Sequence, residues 1–291
     1  MQLPHTTPAD WPDDLAGSKL ASLLRTSPRG CKVGLLGIPD DTGVKLNNGR
    51  PGAAEGPAAL RAALCRYGVA QPHGWEWPAI WDAGNVDVVP GDLHETHQRV
   101  TEASRALIDQ GMFPIMIGGG HDLTFPFVRA VAEAHKPMHG IYFDAHLDVR
   151  DEAGSGMPFR SLIQSGAADS LRVHGLDPYA NSTEHVKWFS DHGGQVAGCS
   201  YDDDWLDKPT FVSLDMDVFD AAHAPGVSAL NPCGWAPELA ERWVLEAGRQ
   251  SQVRCFDIME LSPPNDHDGR SARLAARMLL AFLRGYSERH Q

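Results

Sequence analysis

The sequence predicts an α/β protein in which a mainly parallel sheet is covered by helices on both sides. Short apolar runs alternate with segments of helical periodicity along most of the 291 residues. The runs are apolar at consecutive positions, which is typical of strands buried on both faces between layers of helices. No linker or composition break interrupts this alternation after residue 30, so we expect a single domain.

Each predicted element has its own local signal in the sequence. Apolar runs, several of which stop at proline or glycine, predict strands at 32–38, 79–84, 113–117, 140–146, 210–217 and 253–260. Helical spacing of apolar residues predicts helices at 56–68, 93–110, 124–135, 182–191, 236–250 and 271–286. Prolines at positions 4, 8, 12 and 28 predict an extended N-terminal arm over residues 1–30, followed by a catalytic domain over 31–291.

The composition excludes several classes of protein. The formal net charge of −13 argues against electrostatic binding of nucleic acid or of an anionic membrane surface. No apolar run approaches the roughly 18 residues that a membrane span needs. Five cysteines are widely scattered without a CxxC pair, which argues against a disulfide framework and against a thiolate zinc site. We therefore expect a cytoplasmic protein that acts on a small molecule.

Polar motifs follow four of the predicted strands. They are GGGHD (118–122), DAHLD (144–148), DMDVFD (215–220) and DIME (257–260). The carboxyl ends of parallel strands share one edge of a sheet, and ligands bind at that edge. We therefore expect the side chains of these motifs to face a common cleft.

The motifs together contain a set of acidic residues and histidines suited to divalent metal ions. The candidates are His121, Asp122, Asp144, His146, Asp148, Asp215, Asp217 and Asp220. If 144–148 and 215–217 stay extended, the side chains two residues apart point the same way. Carboxylates crowded in one cleft repel each other, and bound cations relieve that repulsion. Carboxylates with imidazole suit Mn²⁺, and this set is large enough for two ions that together could lower the pKa of water.

These motifs, in this order and spacing over roughly residues 32–286, resemble the ureohydrolase (arginase–agmatinase) family of dinuclear manganese enzymes. The resemblance implies an arginase-like three-layer α/β/α fold and frequent trimers or hexamers. It implies a first Mn²⁺ held by His121, Asp144, Asp148 and Asp215. It implies a second Mn²⁺ held by Asp144, His146, Asp215 and Asp217, so that Asp144 and Asp215 bridge the ions.

Three further stretches are similar to the formimidoylglutamase branch of that family. They are GVKLNNGRPGAAEGPAALR (43–61), DVRDEAGSGMPFRSLI (148–163) and DHDGRSARLAAR (266–277). Ser155–Gly156 stands where arginases and agmatinases carry a proton-shuttling histidine before glycine, and this departure favours the formimidoylglutamase branch. The resemblance implies hydrolysis of N-formimidoyl-L-glutamate to L-glutamate and formamide, a step of histidine degradation.

The resemblance and the charge of the implied substrate predict catalytic and substrate-binding residues. Glu260 resembles the acidic residue of the family that holds the cationic amidine, and Asp217 could pass a proton to the leaving amine. The substrate carries two carboxylates and the protein is acidic, so local arginines must bind them. The candidates for substrate contacts are Asn47, Arg50, Arg150, Ser155 and Arg160.

Two other functions agree with part of the same pattern. An agmatinase- or arginase-like amidinohydrolase would release urea from a guanidino compound, but a cationic substrate would not need Arg150 and Arg160. A non-catalytic metal-binding protein would have no need for Glu260 beside an open metal site. We therefore expect the formimidoylglutamase activity over both.

Overall fold

The structure is a computed structural model that describes residues 2–70, 75–198, 205 and 207–289. Its ten strands are β1 (Thr6–Thr7), β2 (Leu24–Arg25), β3 (Val33–Gly37), β4 (Ile80–Val86), β5 (Phe113–Ile117), β6 (Met138–Phe143), β7 (Ala168–His174), β8 (Gly194–Val196), β9 (Thr210–Asp215) and β10 (Val253–Met259). Its eight α-helices are α1 (Thr42–Leu46), α2 (Gly56–Leu64), α3 (Leu93–Ile108), α4 (Thr124–His135), α5 (Pro158–Gln164), α6 (Thr183–Asp191), α7 (Pro237–Arg249) and α8 (Arg270–Glu288).

All ten strands belong to one sheet. The order across it is β1-β4-β3-β5-β10-β9-β6-β7-β8, and β2 pairs with β4 outside this path. Every pairing is parallel except that of β1 with β4. The predicted mainly parallel sheet is therefore confirmed, and the carboxyl ends of its central strands lie at one edge.

Two apolar cores, one on each face of the sheet, make the protein three-layered. Successive residues of a strand alternate between the cores: Ile141 and Phe143 of β6 face one core, and Tyr142 faces the other. Apolar residues of α2, α7 and α8 fill the first core. Those of α3, α4, α5 and α6 fill the second. This arrangement confirms the predicted α/β/α layers.

The six predicted strands and six predicted helices are all present with small shifts at their ends. The sequence analysis missed α1, α5, β7 and β8. The missed strand β7 reads ADSLRVH, where polar side chains interrupt the apolar pattern. It still pairs with β6 over Met138–Phe143, because backbone hydrogen bonds do not depend on side-chain polarity.

The predicted N-terminal arm contributes two short strands to one side of the sheet. Thr6 pairs with Val86 in antiparallel register, and Leu24 pairs with Ile80 in parallel register. Leu20 is buried in the first core. The division of the chain into an arm and a catalytic domain stays a prediction.

Two other expectations concern the chain as a whole. None of the described helices is both long enough and apolar enough to cross a membrane. Cys31, Cys65, Cys233 and Cys255 are free thiols, whereas Cys199 lies outside the described residues.

Candidate metal and substrate site

Four side chains form a first group of metal-ligating atoms at the carboxyl edge of the sheet. The Nδ1 atom of His121 lies 3.2 Å from Oδ2 of Asp144, 3.0 Å from Oδ2 of Asp148 and 2.9 Å from Oδ2 of Asp215. The four ligand atoms all lie within 4.8 Å of one another. His121 and Asp144 are fully buried. This spacing is suited to a single cation held between the four atoms.

A second group adjoins the first and shares Asp144 with it. The Nδ1 atom of His146 lies 3.4 Å from Oδ1 of Asp144 and 3.1 Å from Oδ2 of Asp217. The ligand atoms of these three residues also lie within 4.8 Å of one another. The structure therefore brings together all six predicted metal ligands. The other two candidates, Asp122 and Asp220, belong to neither group. Asp122 contacts His97 at 2.8 Å, and Asp220 accepts the N–H of Ala222 at 2.8 Å.

The backbone that delivers these ligands differs from the expected extended one. Strand β6 ends at Phe143, and Asp148 adopts a left-handed conformation with φ of 47°. Strand β9 ends at Asp215, and residues 216–218 form a 3-10 turn in which Asp215 accepts the N–H of Asp217 at 2.7 Å. The expectation of extended segments with side chains pointing one way is therefore wrong. These turns direct His146 and Asp217 toward the second group, and Asp148 and Asp215 toward the first.

Hydrogen bonds behind His121 fix the orientation of its ring. The Nε2 atom of His121 lies 2.9 Å from Oγ of Ser213, and that hydroxyl donates to Asp257. If the Ser213 proton is given to Asp257, the hydroxyl can only accept from His121, which places the ring proton on Nε2. Nδ1 then presents its lone pair to the first metal group. Asp257 belongs to the motif DIME (257–260), but its place in that motif did not distinguish it as a partner of Ser213.

The electrostatics of the site favour binding of a cation between the carboxylates. Burial, together with the charges of Asp148 and Asp217, raises the pKa of Asp144 to about 6. Burial and the charges of Asp217 and Asp144 raise the pKa of Asp215 well above its ordinary value. The negative charge of Asp217 raises the pKa of His146 far above its usual range. Each shift results from burial and from crowding of negative charge, and a bound cation would relieve that crowding.

The donor atoms themselves fit divalent metal ions. Nδ1 of His121, Oδ2 of Asp144 and Oδ1 of Asp217 are buried, and within the described chain none makes a hydrogen bond of normal geometry. Buried polar atoms without hydrogen bonds are costly, and coordination of a metal would satisfy them. Carboxylate oxygens with imidazole nitrogens, and no thiolate, are a ligand set suited to Mn²⁺.

Glu260 lies directly beside the first metal group. Its Oε1 atom accepts the backbone N–H of His121 at 2.8 Å, and its Oε2 atom is hydrogen-bonded to Oγ of Ser228. Burial raises the pKa of this carboxyl to about 8, although the hydrogen bonds from Ser228 and His121 lower it. A buried carboxylate of this kind is stabilised by a cationic ligand such as an amidinium.

An open pocket adjoins both metal groups. Its lining includes the predicted residues Asn47, His146, Asp148, Arg150, Ser155, Asp215, Asp217 and Glu260. Arg150 is the one arginine or lysine among the described residues that line it. A small molecule in this pocket therefore meets carboxylates and one guanidinium.

Two predicted substrate residues do not line this pocket. Arg160 pairs with Asp151 at 2.9 Å and stacks over the ring of Trp188 at 4.6 Å. Arg50 donates to the carbonyl oxygens of Pro225, Val227 and Ser228. Arg50 thus holds the loop that carries Ser228, and the largely buried side chain of Arg160 is engaged by Asp151 and Trp188. The reason is that spacing in sequence locates these arginines near the site but does not determine where a long side chain ends.

The sequence analysis missed the part of the pocket formed by the connection between β7 and α6. Ala180, Asn181 and His185 line it, as do Ser228 and Ala229. The strand before this connection was itself missed, so its carboxyl end was not counted among the sheet-edge motifs. The sequence NSTEH (181–185) could have indicated this connection, because Ser182 is a typical N-cap residue and marks the start of α6.

Fold and site together define a metal-binding α/β protein with the ligand set of a hydrolytic enzyme. The Arginase family model matches residues 31–284, and the chain belongs to this family, whose members include metal-dependent hydrolases acting on amidino C–N bonds.

Individual relatives agree with this assignment. The chain is 33% identical to a formimidoylglutamase of Aromatoleum aromaticum, over 88% of this chain and 83% of that protein. It is 30% identical to the mitochondrial guanidino acid hydrolase of Homo sapiens, over 89% and 80%. The crystal structure of Trypanosoma cruzi formiminoglutamase with Mn²⁺ is similar at a TM-score of 0.81 and 28% identity, covering 91% of this chain and 97% of that one.

Proposed function

We propose that this protein is a dinuclear manganese hydrolase that converts N-formimidoyl-L-glutamate and water to L-glutamate and formamide. The observation that carries the proposal is the pocket, in which Glu260 and Arg150 both line the space beside two metal groups. The substrate combines a cationic formimidoyl group with carboxylates, which are complementary to Glu260 and Arg150 respectively. Relatives named formimidoylglutamase support this choice of substrate, and the same reaction places the protein in histidine degradation.

The two ions would be held by the predicted ligands. His121, Asp144, Asp148 and Asp215 would hold the first, and Asp144, His146, Asp215 and Asp217 the second. The position of Asp144 in both groups supports its role as a bridge. When bound, two Mn²⁺ ions would supply a water molecule of lowered pKa as the nucleophile. The Mn²⁺-containing structure of the Trypanosoma cruzi relative supports this choice of metal.

Residues of the chain would orient the substrate around that chemistry. Glu260 would accept a hydrogen bond from the formimidoyl nitrogen, and its own hydrogen bonds to His121 and Ser228 hold its carboxyl in place. Asp217 would receive a proton and pass it to the leaving amine. Arg150 would bind a substrate carboxylate. Asn47 and Ser155, which line the same pocket, would add polar contacts to the substrate. Nδ2 of Asn47 donates to Oγ of Ser155 at 3.1 Å, which holds these two side chains together.

A product assay tests this function. Mn²⁺-loaded protein would be offered N-formimidoyl-L-glutamate, arginine, agmatine and 4-guanidinobutyrate, with glutamate, formamide and urea measured. We expect glutamate and formamide from the first compound and no urea from the others. Release of urea from a guanidino compound, without turnover of N-formimidoyl-L-glutamate, would contradict the proposed substrate and agree with the family assignment. Metal binding without turnover of any compound would favour the non-catalytic alternative.

A guanidino acid hydrolase is the second candidate. The observation that favours it is that the part of the pocket built by described residues has one arginine, because a guanidino acid with one carboxylate needs one such partner. The similarity to the human guanidino acid hydrolase supports it as well. Urea release from 4-guanidinobutyrate distinguishes this candidate from the first.

We further infer that the protein assembles as a homo-trimer or homo-hexamer, which rests on its similarity to the arginase family. Light scattering coupled to size-exclusion chromatography measures the mass in solution. With a chain mass of 31.6 kDa, a monomeric species would contradict the inference.

A further inference from the structure

The pocket has two separate walls of polar residues outside the metal groups. The first is built from the 150–156 loop and α1. A Cβ atom added at Gly156 would lie 2.9 Å from Cδ of Arg150 and 3.0 Å from Nδ2 of Asn47, so these side chains pack together there. The second wall is the connection from Ala180 to His185.

Most hydrogen-bonding groups of these walls are already in use. Asn181 makes three hydrogen bonds: its Oδ1 accepts the N–H of Leu147 at 2.9 Å, and its Nδ2 donates to Ala145 and Asp177 at 2.9 and 2.8 Å. Asn47 donates one N–H of its amide to Oγ of Ser155. The second N–H of Asn47 and the O–H of Ser155 are left as neutral donors for a ligand. Asn181 therefore acts as a brace that holds the second wall against the metal-ligand segment.

His185 differs from its neighbours on the second wall. Its backbone N–H is capped by Oγ of Ser182 at 3.1 Å, which places the residue in the first turn of α6. Its imidazole is half-buried, lines the pocket, and has no hydrogen bond or ion pair with the described residues. It is therefore an available donor, on a different wall from Arg150.

A formimidoyl amino acid with two carboxylates needs two anion partners beyond the metal groups, and Arg150 supplies one. We propose that His185 binds the second carboxylate and so determines the preference of this enzyme for dicarboxylate over monocarboxylate substrates. This inference rests on the proposed function, because it names the residue that would distinguish the two candidate substrates. Imidazole can donate one hydrogen bond when neutral and carries a positive charge when protonated, and both forms favour a carboxylate.

The test compares the variants His185→Ala and His185→Gln with wild-type protein on matched substrates. N-formimidoyl-L-glutamate carries two carboxylates, and N-formimidoyl-4-aminobutyrate carries one. We expect His185→Ala to raise KM for the first about 10- to 100-fold, as for loss of a charge-assisted hydrogen bond, with KM for the second unchanged. His185→Gln, which keeps a donor, should restore part of the preference. Equal changes for both substrates, or no change for either, would overturn the proposal.

His192→Ala is the matched control. This second histidine follows the end of α6, stacks on Trp188 and donates from Nδ1 to the carbonyl of Trp188, outside the pocket lining. We expect its KM values to equal those of wild-type protein. If His192→Ala also loses the preference for the dicarboxylate, the substitutions act by disturbing the folding of α6 and not by removing a contact with the substrate, which would contradict the proposal.

A binding measurement separates failure of this proposal from failure of the proposed function. Calorimetry on Mn²⁺-loaded protein would give Kd values for L-glutamate and 4-aminobutyrate, without any need for turnover. A preference of wild-type protein for L-glutamate that His185→Ala abolishes supports the role of His185 even if formimidoyl compounds are not hydrolysed. Equal affinities of wild-type protein for the two ligands contradict it.

Discussion

The Oε1 atom of Glu260 accepts a hydrogen bond of 2.8 Å from the backbone N–H of His121. The carboxyl that faces the pocket is thereby tied to the residue that anchors the first metal group. Because Ser228 holds the other oxygen, both oxygens of Glu260 have defined positions before a ligand enters. In the proposed function, binding of the substrate cation by Glu260 and binding of the metal by His121 would therefore be coupled through this one hydrogen bond.

Removal of the charge at Glu260 is expected to impair binding of a cationic substrate. Glu260→Gln should lower kcat/KM by about 10- to 100-fold, because a charge-assisted hydrogen bond becomes a neutral one. Steady-state kinetics measures this change. Glu241→Gln, on the far helix α7 where Glu241 pairs with Arg277 at 2.8 Å, should keep wild-type kinetics. Wild-type kcat/KM in Glu260→Gln would exclude contact with the amidine.

The shared ligand Asp144 provides a test of the two-ion site. Asp144→Asn should reduce bound Mn²⁺ below two ions per chain and lower kcat by more than about 100-fold, since both groups lose an anionic ligand. Elemental analysis gives the metal content. In metal-free protein the same variant should melt no lower than wild type, because it removes repulsion from Asp148 and Asp217. Asp191→Asn on the surface of α6 is the control, and two tightly bound ions in Asp144→Asn would refute the assignment.

The pH dependence of stability should differ between metal-free and metal-loaded protein. Burial raises the pKa of Glu260 to about 8 and that of Asp144 to about 6, so the folded state binds these protons more tightly than the unfolded chain. The free energy of unfolding of metal-free protein should therefore fall as pH rises from about 4 to about 8. Bound Mn²⁺ should reduce this decline, because a cation stabilises the ionised carboxylates.

Thermal melts at several pH values, with and without a chelator, measure this effect. Glu260→Gln should flatten the upper part of the decline, between about pH 6 and pH 8, since the variant has no proton to lose there. Stability of metal-free wild-type protein that rises over this range would contradict the predicted sign.

The three candidate arginines are expected to behave differently from one another. Arg150→Gln should raise KM about 10-fold or more with little change in melting temperature, because Arg150 is exposed and lines the pocket. Arg160→Gln should leave KM unchanged. Arg50→Gln should lower the melting temperature and kcat, because its hydrogen bonds hold the loop of Ser228. Equal KM effects of Arg150→Gln and Arg160→Gln would contradict the assignment.

The sequence predicted which acidic residues and histidines meet at the carboxyl edge of the sheet, because each follows a strongly apolar strand. Their role as metal ligands stays a prediction. The division of these ligands into two groups was implied by the family resemblance and not by the spacing of the residues; the structure has the same first group, and its second group lacks Asp215. That division depends on the turn at Asp148 and on the 3-10 turn after Asp215, which the spacing of residues does not determine. His185 was missed for a related reason, since the polar strand β7 before it lacks the apolar pattern that marked the other strands.

Asp148 and Glu260 have left-handed backbones, with φ of 47° and 64°, a conformation that costs most residues about 1 kcal/mol or more and glycine almost nothing. Glycine at either position would relax the backbone of this fold, yet it would delete a carboxylate from the pocket. At 148, selection for thermal robustness of metal-free protein would thus act against the acid. At 260, glycine would also leave the buried N–H of His121 without its acceptor, and this cost offsets the gain in the backbone. A library of variants sorted only for resistance to heat without metal should accumulate glycine at 148 and not at 260, while one sorted for turnover should retain both acids.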